Sequence, residues 1–166
     1  MKNAKNNQAM KNAQILADIT FKLKKICNEK ESYFASQFKL TSMEFRCLKY
    51  LKDVDYLIVK DLAEKMNLTP SRVTRLITSL EKKRLVKREL DLDDRRNVRV
   101  MLNNKNKQFV EDIENKHVEL HYEVLSALPP HDVEVMIDSV EKLYEAFEKW
   151  AEENLKHADL KNLKDN

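Results

Sequence analysis

Glycine is missing altogether from the 166 residues, where ordinary usage of ~7% would supply about a dozen. Loops that cradle phosphate and strained nucleophile elbows need glycine where backbone crowds a ligand. A Walker loop, a GxGxxG fingerprint and a GxSxG elbow are therefore all excluded. Cysteine is nearly as scarce: Cys27 and Cys47 form no CxxC pair, which argues against a disulfide scaffold and fits a reducing cytoplasm. No apolar run approaches the ~18 residues of a membrane span. The polar opening Met1-Lys2-Asn3-Ala4-Lys5 has no signal-peptide core. A cytoplasmic protein with no membrane partner is expected. With no nucleophile–base pair and no paired carboxylates beyond charged helix surfaces, neither an enzyme nor a cofactor is expected.

What is present is charge, unevenly spread. Charged residues make up 36% of the chain and hydrophobic residues 42%, enough apolar material for a core. Residues 1–40 carry eight cations to three acids, residues 41–102 fifteen to ten, and residues 103–155 five to thirteen. A basic centre beside an acidic C-terminal part suits a chain whose middle meets a polyanion.

Periodicity divides the chain into a polar flexible arm (1–12), an N-terminal helix region (13–40), a central lobe (41–102), two long acidic helices (103–155) and a tail (156–166). Leu16, Ile19, Leu23, Ile26 and Cys27 recur at helical spacing, predicting an amphipathic helix from Ala13 to about Phe34. Thr41-Ser42-Met43-Glu44 matches a capping box and opens a helix ending near Lys52. A short helix over 59–66, Asn67 as a left-handed cap and Thr69-Pro70 as N-cap and first helical residue outline a helix-turn-helix. The period then falls to two over 86–91 and 98–102, predicting a hairpin with the charged tip 92–97. Helices over 104–128 and 131–155 flank Pro129-Pro130. In the second, Val133, Met136, Ile137, Val140, Leu143, Tyr144, Phe147 and Trp150 share a stripe too broad for a lone surface helix.

The order of three helices and a two-stranded hairpin is that of a winged helix-turn-helix, mainly α. On the third helix Val73, Leu76, Ile77 and Leu80 cluster, while Ser71, Arg75, Thr78 and Lys82 fall near the opposite pole. Arg72 and Ser79 lie on one flank and Thr74 on the other. These seven outward positions include no acid. Arginine can bind guanine bidentately, and hydroxyls can meet base edges or phosphate. At the hairpin tip, Arg95 and Arg96 have the reach and charge for a minor groove, with Asp94 read as an orienting partner for an arginine.

The run from Leu68-Thr69-Pro70-Ser71-Arg72-Val73-Thr74-Arg75 through Leu80-Glu81-Lys82-Lys83 and Leu85-Val86-Lys87-Arg88 to Asp91-Leu92-Asp93-Asp94-Arg95-Arg96 resembles the MarR family of bacterial transcription regulators. The likeness covers roughly residues 12–155. It implies a homodimer whose terminal helices interlock, two winged lobes on adjacent major grooves of a pseudo-palindromic operator in double-stranded DNA, and in most members repression relieved by a small-molecule effector. The implied DNA-binding residues are Ser71, Arg72, Thr74, Arg75, Thr78, Arg95 and Arg96, with Lys82 and Arg84 toward phosphate. Two positions depart from the family: Arg84 stands where a junction glycine is usual, and Asp93 where the wing often has arginine. Asn103 and Asn106 replace the usual residues opening the fifth helix and can cap it.

A symmetric dimer would supply what the implied two-fold operator asks for, recognition helices ~34 Å apart. The remaining candidates are minor. His117 and His121 are four apart on one helix face, with Glu114 a turn earlier, but two nitrogens lack a third ligand and no metal is expected. Cys27 and Cys47 lie on apolar faces and read as buried packing residues, not thiol sensors. The rivals are a metal- or thiol-responsive regulator of the same fold and a helical interaction module that has lost DNA binding.

Overall fold

Local signals in the chain set most of the element boundaries. The computed structural model describes residues 2–91, 94 and 96–162. Its order is α1 (Lys2–Gln37), α2 (Ser42–Leu51), β1 (Leu57–Ile58), α3 (Val59–Lys65), α4 (Pro70–Lys82), β2 (Val86–Leu90), β3 (Val98–Leu102), a 3-10 turn (Asn104–Asn106), α5 (Lys107–Ser126) and α6 (Pro130–Asn162). The fold is mainly helical with a small antiparallel sheet, the winged helix-turn-helix that the sequence implied.

Two helices are longer than their apolar patterns. α1 starts at Lys2 instead of Ala13, because residues 2–12 hold no breaker and amide pairs such as Gln8 Nε2 to Asn12 Oδ1 (3.0 Å) form one turn apart. α6 likewise runs to Asn162 rather than residue 155. α1 closes with Lys39 left-handed (φ 57°) and the Leu40 amide donating to the Ala35 carbonyl (3.0 Å). Asn67 (φ 51°) closes the α3 turn in the same way, and Arg84 (φ 62°) closes α4. With no glycine to take them, these three left-handed positions each cost about 1 kcal/mol.

The capping box at Thr41 forms as its spelling predicts. The Glu44 amide donates to Thr41 Oγ1 (3.2 Å) and the Thr41 amide to Glu44 Oε2 (2.7 Å). Thr69 Oγ1 accepts from the Arg72 amide (3.4 Å), with Pro70 in the first helical turn. The lobe core closes over Phe45, Leu48, Leu51, Leu62, Ile77 and Leu80, each at most 2% exposed. At ~1.5–3 kcal/mol per fully buried large side chain, this cluster is what holds α2, α3 and α4 together.

The sheet has a third strand that alternation did not announce. Its order is β1-β3-β2, with Leu57 opposite Val100 and Ile58 opposite Arg99. Two residues are too few to display a period. The β2–β3 ladder pairs Val86 with Leu102 and Leu90 with Val98. Burial fades toward the tip: Val86, Val100 and Leu102 are buried, whereas Val98 is half-buried and Leu90 is exposed. The hairpin is an arm.

The chain divides into two compact units, Met1–His117 and Val118–Asn166. In the first, Ile15, Ile19, Leu23 and Ile26 of α1 are exposed. Cys27 shares their exposure, which corrects its reading as a buried packing residue; only Cys47 is buried. In the second, Ile137, Val140, Tyr144, Phe147 and Trp150 of α6 are exposed in the single chain. Among the described residues, no helix is long and apolar enough to cross a membrane.

Candidate nucleic-acid interface

α4 is amphipathic, and its burial fixes which way the polar side looks. Val73, Ile77 and Leu80 are fully buried. Ser71, Arg72, Thr74, Arg75 and Lys82 are exposed, and Thr78 is half-buried. Among the described residues, neither Arg72 nor Arg75 has a side-chain hydrogen bond or ion pair. Both line a groove of about 480 Å³ between α2 and α4, together with Thr41, Met43, Leu68 and Leu76.

The two threonines are engaged differently from the arginines. Thr74 Oγ1 donates to the Pro70 carbonyl and Thr78 Oγ1 to the Thr74 carbonyl, each at 2.9 Å. With their protons committed to their own helix, these side chains offer methyl groups and acceptor lone pairs. Such groups suit a thymine methyl or a base amine better than a phosphate oxygen. Ser79, on the flank in the sequence reading, turns inward instead and donates to Glu44 Oε1 (2.7 Å).

The wing is organised by carboxylates. Asp94 accepts from the Arg96 amide (3.1 Å) and holds its guanidinium through Nε (3.0 Å) and Nη2 (3.2 Å). The Arg96 hydrogen bonds, side chain first and then backbone, lower the Asp94 pKa. The Arg96 side chain is 91% exposed, so this fork is presented outward at the hairpin tip. Arg95 and Asp93 lie outside the described residues. At the base of the tip, buried Asp91 accepts from the Asp94 amide (3.1 Å) and from Arg99 Nε (2.6 Å). Arg99 lies 4.2 Å over the Tyr56 ring, and Arg88 pairs with Glu81 at the end of α4 (2.5 Å).

The sequence reading missed the Asp91–Arg99–Tyr56 brace. Its only local signal is that Asp91 directly follows β2 and Arg99 lies in β3 of the same hairpin. Lys82 and Arg84 stand exposed at the α4–β2 junction, where the Arg84 carbonyl accepts from Asn106 Nδ2 (2.7 Å). Asn103 caps the turn before α5 through Lys105 N (3.3 Å), but Asn106 braces the junction rather than capping α5.

Among the described residues, no group of three or more His, Cys, Asp or Glu side chains is placed to hold a metal ion. His117 packs against the Phe34 and Phe45 rings at 5.1 Å each. Glu114 is taken up by Lys49 (3.4 Å) and Lys52 (3.8 Å). Burial first, then the Glu44 charge, pushes the Cys47 thiol pKa up to about 12. A thiol this hard to ionise is a poor nucleophile.

A buried helix-turn-helix whose second helix presents exposed cations, followed by a hairpin arm, defines a winged helix-turn-helix lobe. Residues 40–98 match the family model described as the MarR family. Over 131 residues the chain is 27% identical to an uncharacterized HTH-type transcriptional regulator of Bacillus subtilis, YsmB, covering 77% of this chain and 90% of that one. The fold is similar to that of wild-type apo MarR from E. coli, with a TM-score of 0.70 at 19% identity over 77% of this chain and 95% of that one. It is also similar to MepR of S. aureus in its DNA complex, with a TM-score of 0.64 at 23% identity over 80% and 97%. The family resemblance therefore holds: the chain has the fold of a MarR-family transcriptional regulator, and its winged lobe carries that family's pattern.

Proposed function

We propose that the protein is a homodimeric, sequence-specific regulator that binds double-stranded DNA at a pseudo-palindromic operator and represses until a small molecule releases it. The observation that carries this reading is the exposed, acid-free face of α4, where Arg72 and Arg75 stand without partners among the described residues. Ser71, Arg72, Thr74, Arg75 and Thr78 read or flank the major groove. Arg95 and Arg96 enter the minor groove, Asp94 orients Arg96, and Lys82 and Arg84 contact phosphate. The MepR–DNA complex, which shares the fold, supports the use of this lobe on DNA.

The exposed apolar stripes of α1 and α6 support a symmetric partner, since large contiguous apolar patches on a soluble chain mark interaction surfaces. A cavity of about 420 Å³, lined by Phe38, Lys39, Leu40, Lys83, Leu85, Asn106 and Phe109, supports an effector. Its size suits a small ligand, and its lining suits an aromatic or anionic one. Selection of bound duplexes from a random pool tests the reading. Two inverted half-sites, one helical turn of about 10 bp or a multiple apart, are expected. Recovery of no preferred sequence would overturn it.

A further inference from the structure

Glu44 is a buried carboxylate whose hydrogen bonds reach into α4. It is 2% exposed, a place where a carboxylate survives only if its lone pairs are satisfied. The capping box accounts for one of its contacts, the Thr41 amide on Oε2. Two more come from the far side. Ser79 Oγ donates to Oε1 (2.7 Å), and Lys83 Nζ donates to Oε2 (2.7 Å). The Lys83 ammonium also donates to the Lys39 carbonyl (2.7 Å), on the left-handed residue that ends the α1 turn. One carboxylate thus joins the α1–α2 turn, the start of α2, the inner flank of α4 and the residue that follows it.

The points of attachment on α4 are informative. Ser79 is seven residues beyond Arg72, so at 100° per residue the two stand about 20° apart on the helix wheel. It is four residues beyond Arg75, about 40° away. A grip on Ser79 is a grip on the helix line that carries both arginines. The neighbouring hydroxyls give a contrast: Thr74 and Thr78 bond to their own helix, and Ser71 bonds to the N-cap Thr69 (3.1 Å). Ser79 alone among them reaches another helix, among the described residues. The side chains that α4 itself buries, Val73, Ile77 and Leu80, are aliphatic, and aliphatic packing tolerates small rotations more readily than a short charge-assisted hydrogen bond does.

We propose that Glu44 is a positioning residue for DNA reading: through Ser79 and Lys83 it sets the rotation and axial placement of α4, and so where Arg72 and Arg75 meet the major groove. This rests on the reading of α4 as the groove-reading helix. Removing the clamp should blur sequence discrimination more than it weakens phosphate contacts, because the cations themselves are untouched.

The test uses the full-length protein with Ser79→Ala, Ser79→Thr and Glu44→Gln. The ratio of affinity for the selected operator to affinity for random duplex is measured well below each variant's melting temperature. Ser79→Ala and Glu44→Gln should each lower that ratio about tenfold, with random-duplex binding nearly unchanged, and Ser79→Thr should restore it. Amide hydrogen exchange, which needs no DNA, is measured in parallel. Exchange across residues 72–80 should quicken about tenfold in Ser79→Ala while α3 and the sheet stay protected. Unchanged exchange in α4, or equal losses on operator and random duplex, would overturn the clamp. A wild-type protein that selects no sequence would instead remove the DNA reading, and the exchange result would still decide whether Glu44 holds α4.

Discussion

The winged lobe and the terminal helices treat their apolar residues in opposite ways. Within the lobe, Phe45, Leu48, Leu51, Leu62, Ile77 and Leu80 are sealed. Along α1 and α6, most of the side chains that give those helices their hydrophobic period stand open, Ile26 at 57% and Tyr144 at 62% exposure. Composition does not cause the difference, since both regions are amphipathic. The lobe folds three helices and a sheet around one centre, whereas long helices with a stripe on one side satisfy that stripe only against another long surface. On the proposed function, the lobe is a finished reading head and the long helices are one half of a symmetric pair. A head that reads one half-site gains specificity when the second half supplies its twin.

The largest expected effect comes from breaking the open side. Tyr144→Glu with Phe147→Glu places two charges on each copy's stripe, and burying unpaired charge is strongly unfavourable. The dimer dissociation constant should rise by about 1000-fold or more, equivalent to about 4 kcal/mol, as read by sedimentation. Helical content should be kept, because both residues are exposed in the single chain. A variant that remains a dimer would show that the stripe is not the interface. On the closed side the next effect is smaller. Arg75→Ala should cost about 1–3 kcal/mol on the selected operator and relax preference at one base position per half-site. Equal losses on operator and random duplex would remove its reading role. Smaller again is Arg96→Ala, which should weaken all duplexes nearly alike and lower the salt slope by about one.

The contrast between sealed and open regions also explains what could be read from residue order. Caps were legible because they are local: Thr41 with Glu44, Thr69 with Pro70, and Asn67 each act within one turn of chain. The hairpin was legible because alternation survives in β3, where Val100 and Leu102 are buried. β1 was not, because Leu57 and Ile58 become a strand only on meeting Val100 and Arg99, some forty residues later. The two extra bonds of Glu44 were hidden for the same reason. Its capping spelling fully explained the residue until Ser79 and Lys83 arrived from the other side of the lobe. Of the site, the arginine face of α4 was legible from its wheel and the Asp94 fork from its neighbours in sequence. The Arg99–Tyr56 contact was not. Cys27 was misplaced because helical spacing locates an apolar face without saying whether the chain itself covers it.

A pH titration sharpens the sealed side. Burial alone would raise the Glu44 pKa, but hydrogen bonds from Lys83, the Thr41 amide and Ser79, together with the Lys83 charge, outweigh it and leave it lowered. A carboxylate with a folded pKa below its unfolded value stabilises the protein above the unfolded pKa and loses that contribution as pH falls through the folded one. Denaturant midpoints measured downward from about pH 5 should therefore fall more steeply for wild type than for Glu44→Gln. Parallel curves would mean that the folded lobe does not favour the ionised carboxylate.

The two cysteines give the mildest probe, because each sits on one side of the comparison and needs no disruptive substitution. Cys47 is sealed in the lobe with its thiol pushed up to about 12, so a thiol-specific reagent should reach it only as fast as the lobe opens. Cys27 is exposed on the α1 stripe beside Leu23 and Ile26. If that stripe is covered by a second copy, Cys27 should react slowly at concentrations where the dimer persists and faster on dilution, while Cys47 stays concentration-independent. The dimer-breaking α6 variant should abolish the dependence by leaving Cys27 always fast. A Cys27 that reacts at one rate at every concentration would place α1 outside the interface and leave α6 to form it alone.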